Sequence, residues 1–75
     1  MNLYNAELNR KCVVKNVEIE NRSAKIRIME IGIVPNTFIF IKNKSILKKI
    51  LLIVFNSNCF TMPKSMAEKI VVEYV

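Results

Sequence analysis

Seventy-five residues leave room for one hydrophobic core and no second domain. With 52% hydrophobic residues, one glycine and two prolines, the composition excludes disorder and collagen-like repeats, because ample apolar surface is present to offset the entropy of ordering. The formal net charge of +6 keeps acidic partners in view, while the absence of histidine and the wide separation of Cys12 and Cys59 fit no ordinary metal-ligand or redox spacing.

Taken in chain order, Asn2 to Leu8 reads as one short helical turn and Asn9-Arg10 as a connector. From Lys11 to Glu20 apolar residues alternate first as Cys12 and Val14, then as Val17 and Ile19. The buried parity therefore flips near Lys15-Asn16, which predicts a bulge or sharp bend in the first strand. Asn21 or Ser23 offers a helix cap, Ala24, Ile28 and Ile31 recur at helical spacing, and Gly32 stands where a left-handed stop is wanted. Val34-Pro35-Asn36-Thr37 has the residues of a type II turn. The β-branched and aromatic runs Thr37 to Lys42 and Ile50 to Phe55 predict a hairpin with a long basic tip, Asn43 to Lys49. Asn56-Ser57-Asn58 is a turn cluster, Cys59 to Met62 a short strand ended by Pro63, Lys64 to Lys69 a single helical turn, and Ile70 to Val75 a final strand. The sum is a mostly β single domain over residues 1–75: a small, partly open SH3-like β-barrel of about five strands, with one short helix after the first strand.

Small secreted domains of this size usually carry more cysteines, so both thiols are expected to be reduced and buried, and the chain cytoplasmic. The start lacks the basic-then-apolar pattern of a signal peptide. The longest apolar run, Ile50 to Phe55, falls far short of the roughly 20 residues that cross a bilayer.

The run from Lys25 to Thr37, Lys-Ile-Arg-Ile-Met-Glu-Ile-Gly-Ile-Val-Pro-Asn-Thr, resembles the signature of ferrous iron transport protein A, FeoA, in which an arginine- and leucine-rich helix leads to Gly-x-x-Pro-Gly. Cys59 to Val72 is similar to the second landmark of that family, a short strand, a turn carrying an alanine, and a closing strand. Asn9 and Asn36 depart from the pattern where the family commonly has glycine, and asparagine tolerates the same left-handed geometry. The resemblance implies a cytoplasmic SH3-like accessory protein of bacterial ferrous iron uptake. Its partner would be the membrane transporter FeoB, which carries a GTP-binding domain. The resemblance brings no catalytic residues and no cofactor, and reaches the membrane only through that partner. The register it implies directs Ile39, Ile41, Ile50, Leu52 and Val54 into the barrel and leaves Phe38, Phe40, Leu51, Ile53 and Phe55 outside.

The residues themselves also argue against an enzyme. The six glutamates stand at solvent-like positions, Gly32 is alone where a phosphate loop would need several glycines, and neither Glu18 and Glu20 nor the thiols form a spaced ligand cluster for iron. The apolar hairpin carries more information. Five outward side chains at about 1.5–3 kcal/mol each leave roughly 8–15 kcal/mol of burial unclaimed, as an upper bound. Either the helix or the N-terminal turn folds over that face, or it meets another protein: FeoB, or a second copy in a homo-oligomer. On the second reading Phe40→Ser or Ile53→Ser weakens association and leaves the fold intact. Lys42, Lys44, Lys48 and Lys49 surround Ile46 and Leu47 at the tip. They either solubilise the strand ends or meet an acidic partner or the anionic inner leaflet, with Lys48 and Lys49 the candidate contacts. The alternative class is a small nucleic-acid-binding or regulatory barrel, against which stands the absence of an aromatic-basic motif; no nucleic acid is expected.

Overall fold

The computed structural model describes residues 1–45 and 47–75. Among them lie five strands: β1 (Cys12–Val17), β2 (Phe38–Lys44), β3 (Ile50–Phe55), β4 (Asn58–Pro63) and β5 (Ile70–Tyr74). All pairings are antiparallel, in the order β4-β3-β2-β1-β5. A nine-residue helix, α1 (Arg22–Glu30), follows β1, and a single turn, α2 (Lys64–Ala67), leads into β5.

Local chemistry explains each boundary. The register of β1 against β5 shifts between Val14 and Asn16, so Cys12 and Val14 are buried before the bulge and Val17 and Ile19 after it. The side chain of Asn21 accepts a hydrogen bond from the Ala24 amide at 3.0 Å and caps α1, which buries Ile28. Gly32 ends the helix at φ +113°, and a Cβ there would stand 3.3 Å from the Phe55 ring, so two independent demands select glycine. Asn36 takes φ 77° in the turn that follows, closed by the Thr37 amide donating to the Val34 carbonyl at 3.1 Å, while the Thr37 hydroxyl donates to the Gly32 carbonyl at 3.0 Å. Asn9 likewise has positive φ, 61°, so both asparagines that stand in for glycine use the left-handed region.

A 3₁₀ turn at Leu3–Asn5, capped by Asn2, drives Leu3 and Ala6 into the core. The Met1 carbonyl accepts from the Val72 amide, and the Asn9 amide donates to the Ile41 carbonyl, so this segment ties β5 to β2 and helps to close the barrel. The core runs continuously through all five strands, with Val14, Ile41, Ile53, Met62 and Val72 at its centre. Around the hairpin tip, the Ser45 hydroxyl accepts from the Lys49 and Ile50 amides, and the Lys48 amide donates to the Ser45 carbonyl. Ile46, read above as part of the apolar centre of this loop, lies outside the described residues.

Candidate functional site

The hairpin is apolar on both sides, but its sides are composed differently from the expectation. In β2 the reading holds: Ile39 and Ile41 are buried, Phe38 is 51% exposed and Phe40 half-buried. In β3 it inverts. Leu51, Ile53 and Phe55 are core residues, exposed by 3% or less, and Ile50, Leu52 and Val54 face outward. These three inward residues therefore belong to no surface, and the expectation that Ile53→Ser would spare the fold is corrected with them.

The cause is register. Asn56 and Ser57 form a two-residue turn with φ of 50° and 64°, the geometry of a type I′ hairpin loop. That turn pairs Phe55 with Asn58, and hence Leu52 with Thr61, Leu51 with Met62 and Ile53 with Phe60. Thr61 is polar and exposed, Met62 is buried, and β3 must follow the parity of its partner. Before the tip, Phe40 pairs with Val54 and Ile41 with Ile53, so the odd-numbered residues of both strands share the inner face; a second register shift, between Ile41 and Asn43, then sets Lys44 opposite Leu51. The Phe55 ring stacks on Phe60 with centroids 4.9 Å apart, sealing that end of the barrel.

The outer face thus presents Phe38, Phe40, Ile50, Leu52 and Val54, with Val54 between Phe40 on one neighbouring strand and Cys59 on the other. A groove of about 460 Å³ opens there, its floor containing Phe38, Phe40 and Val54 and its walls formed by Asn9 and Lys11 on one side and Asn56 and Ser57 on the other. The Lys11 ammonium stands 4.3 Å from the centre of the Phe38 ring. Neither α1 nor the 3₁₀ turn contributes a wall to this groove. Of the two alternatives for this face, cover by one of these elements finds no support at the groove, and the buried side chains of the two elements, Ile28 and Leu3, lie in the core.

The basic residues part company. Lys48 and Lys49 are exposed at the tip, whereas Lys44 is half-buried and donates from Nζ to the Tyr4 carbonyl at 2.8 Å. The cysteines also separate: Cys12 is buried, and burial pushes its thiol up against the opposing pull of Arg10, but Cys59 is exposed on β4, contrary to its expected burial. Among the described residues no three His, Cys, Asp or Glu side chains gather in a metal-binding group, and the six glutamates are exposed. No helix among those residues is long and apolar enough to cross a membrane.

Tyr4 is the functional candidate that sequence reasoning passed over. Its ring lies between two ammonium groups, Lys44 at 4.4 Å and Lys64 at 4.8 Å, and its hydroxyl donates to the Lys48 carbonyl at 2.9 Å. Such contacts join positions 44 residues apart, beyond the reach of any local pattern.

Five antiparallel strands bent around one core, with a helix after the first, define the molecule as a small SH3-like β-barrel whose candidate site is an apolar outer face. The sequence matches the FeoA domain family over residues 1–74, and the chain belongs to that family. The fold agrees with that of FeoA from Chlorobium tepidum at a TM-score of 0.92, with 23% identity over 100% of this chain and 70% of that one. A FeoA-like protein from Clostridium acetobutylicum matches at 0.87, with 25% identity over 100% of this chain and 86% of the other. The zinc-complexed FeoA of Stenotrophomonas maltophilia matches at 0.84, with 25% identity over 97% and 89%; that protein is described as a prokaryotic SH3 domain and a candidate ferrous iron transport activating factor. No curated protein matches the sequence.

Proposed function

We propose that this chain is a cytoplasmic, non-enzymatic accessory protein of bacterial ferrous iron uptake, and that it docks on an FeoB-type membrane transporter with a GTP-binding domain. Family membership supports the pathway. The observation that carries docking is the outer face of the β2–β3 hairpin, where five large apolar side chains lie along two grooves, Phe38, Phe40 and Val54 in one and Ile50 and Leu52 in the other, neither lined by α1 or the 3₁₀ turn. Because they shield one another by about half, the burial still on offer is roughly 4–8 kcal/mol, ample for a modulating contact. Phe38 and Phe40 are the anchors, with Val54 and Leu52 replacing Ile53 and Leu51 in that role, and Lys48 and Lys49 stand at the far end of the same hairpin. An aromatic pair in a groove is the usual form of a binding hot spot.

The test is affinity of the purified chain for the purified transporter in detergent. Phe40→Ser and Val54→Ser are expected to weaken it by roughly tenfold or more each while circular dichroism stays unchanged. Folded variants that bind as tightly as the parent would move the docking site elsewhere. A parent protein without measurable affinity would reject the partner.

A further inference from the structure

The hairpin tip is built differently from the groove and is strongly basic. Lys44 and Lys64 stand over the Tyr4 ring, Lys44 also donates to the Tyr4 carbonyl, and the Tyr4 hydroxyl donates to the Lys48 carbonyl; Lys49 is tied to this group by the Lys64 amide, which donates to its carbonyl. Among the described residues the ion pairs are Arg10–Glu7 and Lys15–Glu73, so none of these four lysines is paired with an acid. Glu68 is the acidic neighbour, sharing a groove with Lys49, Lys64 and Ser65. At the apex Leu47 is 73% exposed, more than any other large apolar residue of the described chain.

An exposed leucine followed in the chain by the exposed Lys48 and Lys49, beside the Lys44 and Lys64 gathered on Tyr4, has the chemistry of a bilayer contact. The lysines meet anionic headgroups, and the leucine enters the boundary of the acyl chains. An acidic protein surface would satisfy the charges but leave Leu47 without a purpose. We propose that the tip binds anionic lipid directly, without the transporter. The groove of Phe38, Phe40 and Val54 lies at the other end of the hairpin, roughly 20 Å away at the rise of an extended strand, so lipid contact at the tip leaves that groove free. The contact is weak by design: a single leucine and four lysines hold the protein near the surface without anchoring it.

The chain contains no tryptophan, so Leu47→Trp provides a fluorescent reporter without background. With vesicles of phosphatidylglycerol and phosphatidylethanolamine its emission should shift to the blue, and with phosphatidylcholine alone it should not. Raising salt should reverse most of the binding. In co-sedimentation of the otherwise unaltered chain, Lys48→Glu with Lys49→Glu should lower partitioning roughly tenfold or more, and Leu47→Asp by a similar factor. Phe40→Ser, in the groove and away from the tip, should leave vesicle partitioning unchanged. The inference is overturned if the parent ignores anionic vesicles, if Leu47→Asp binds them as well as the parent, or if polyglutamate competes them off at equal charge. Each of these measurements omits the transporter, so its outcome is independent of whether docking occurs.

Discussion

The two faces of the β2–β3 hairpin have nearly the same composition and opposite fates. Inside, Ile39, Ile41, Leu51, Ile53 and Phe55 are sealed; outside, Phe38, Phe40, Ile50, Leu52 and Val54 are just as apolar and only half covered. Hydrophobicity alone does not sort them, because a barrel of this size has one interior and it is full. The difference shows that the core is chosen by pairing geometry, and that an equally apolar set is left on the outer face.

The sharpest way to break this comparison is to exchange adjacent residues. Ile53→Ala should cost about 2–5 kcal/mol in denaturant unfolding, a large share of the roughly 4–11 kcal/mol expected for a domain of this length, and Ile53→Ser should leave the chain unfolded. Val54→Ala, one residue along, should cost under about 1 kcal/mol. Equal losses at the two positions would mean that the faces are not distinct. Gly32→Ala comes next, at about 1–3 kcal/mol, since it combines positive φ with pressure on the Phe55 ring that closes the inner face. Phe40→Ser should shift the unfolding midpoint by less than about 1 kcal/mol while reducing transporter affinity, which separates surface from core by function.

The cysteines give the smallest effect and the same contrast. Iodoacetamide should modify Cys59 rapidly in the folded protein and Cys12 only on unfolding, as mass mapping of the labelled residue would show. Because burial raises the Cys12 thiol, the unfolded chain gives up that proton first as pH rises. The stabilisation due to Cys12 is complete below the ordinary thiol range and declines above it, and Cys12→Ala should abolish that decline.

Much of the architecture was legible in the residues because it is dictated locally. The parity flip around Lys15, the Asn21 cap, the stop at Gly32 and the turn at Asn36 each depend on the conformational preferences of a few neighbouring residues, and each is found where those preferences place it. The candidate site was legible only in part. That one face of the hairpin had to be surplus followed from its composition, and Phe38 and Phe40 were assigned to it correctly. Its β3 half was not, because six successive apolar residues carry no alternation from which to read a side. The signal lay in the next strand: a two-residue turn at Asn56-Ser57 sets Thr61 opposite Leu52 and thereby turns Leu52 outward.

By itself, then, the amino-acid sequence determined the element order, the turn chemistry and the family, since these rest on short-range sterics and on motifs contiguous in the chain. Tertiary structure decided which half of β3 faces solvent, which cysteine is accessible and which lysines gather around Tyr4. Those outcomes are set by pairings between strands and by contacts such as Tyr4 to Lys48, where distance along the chain says nothing about distance in space.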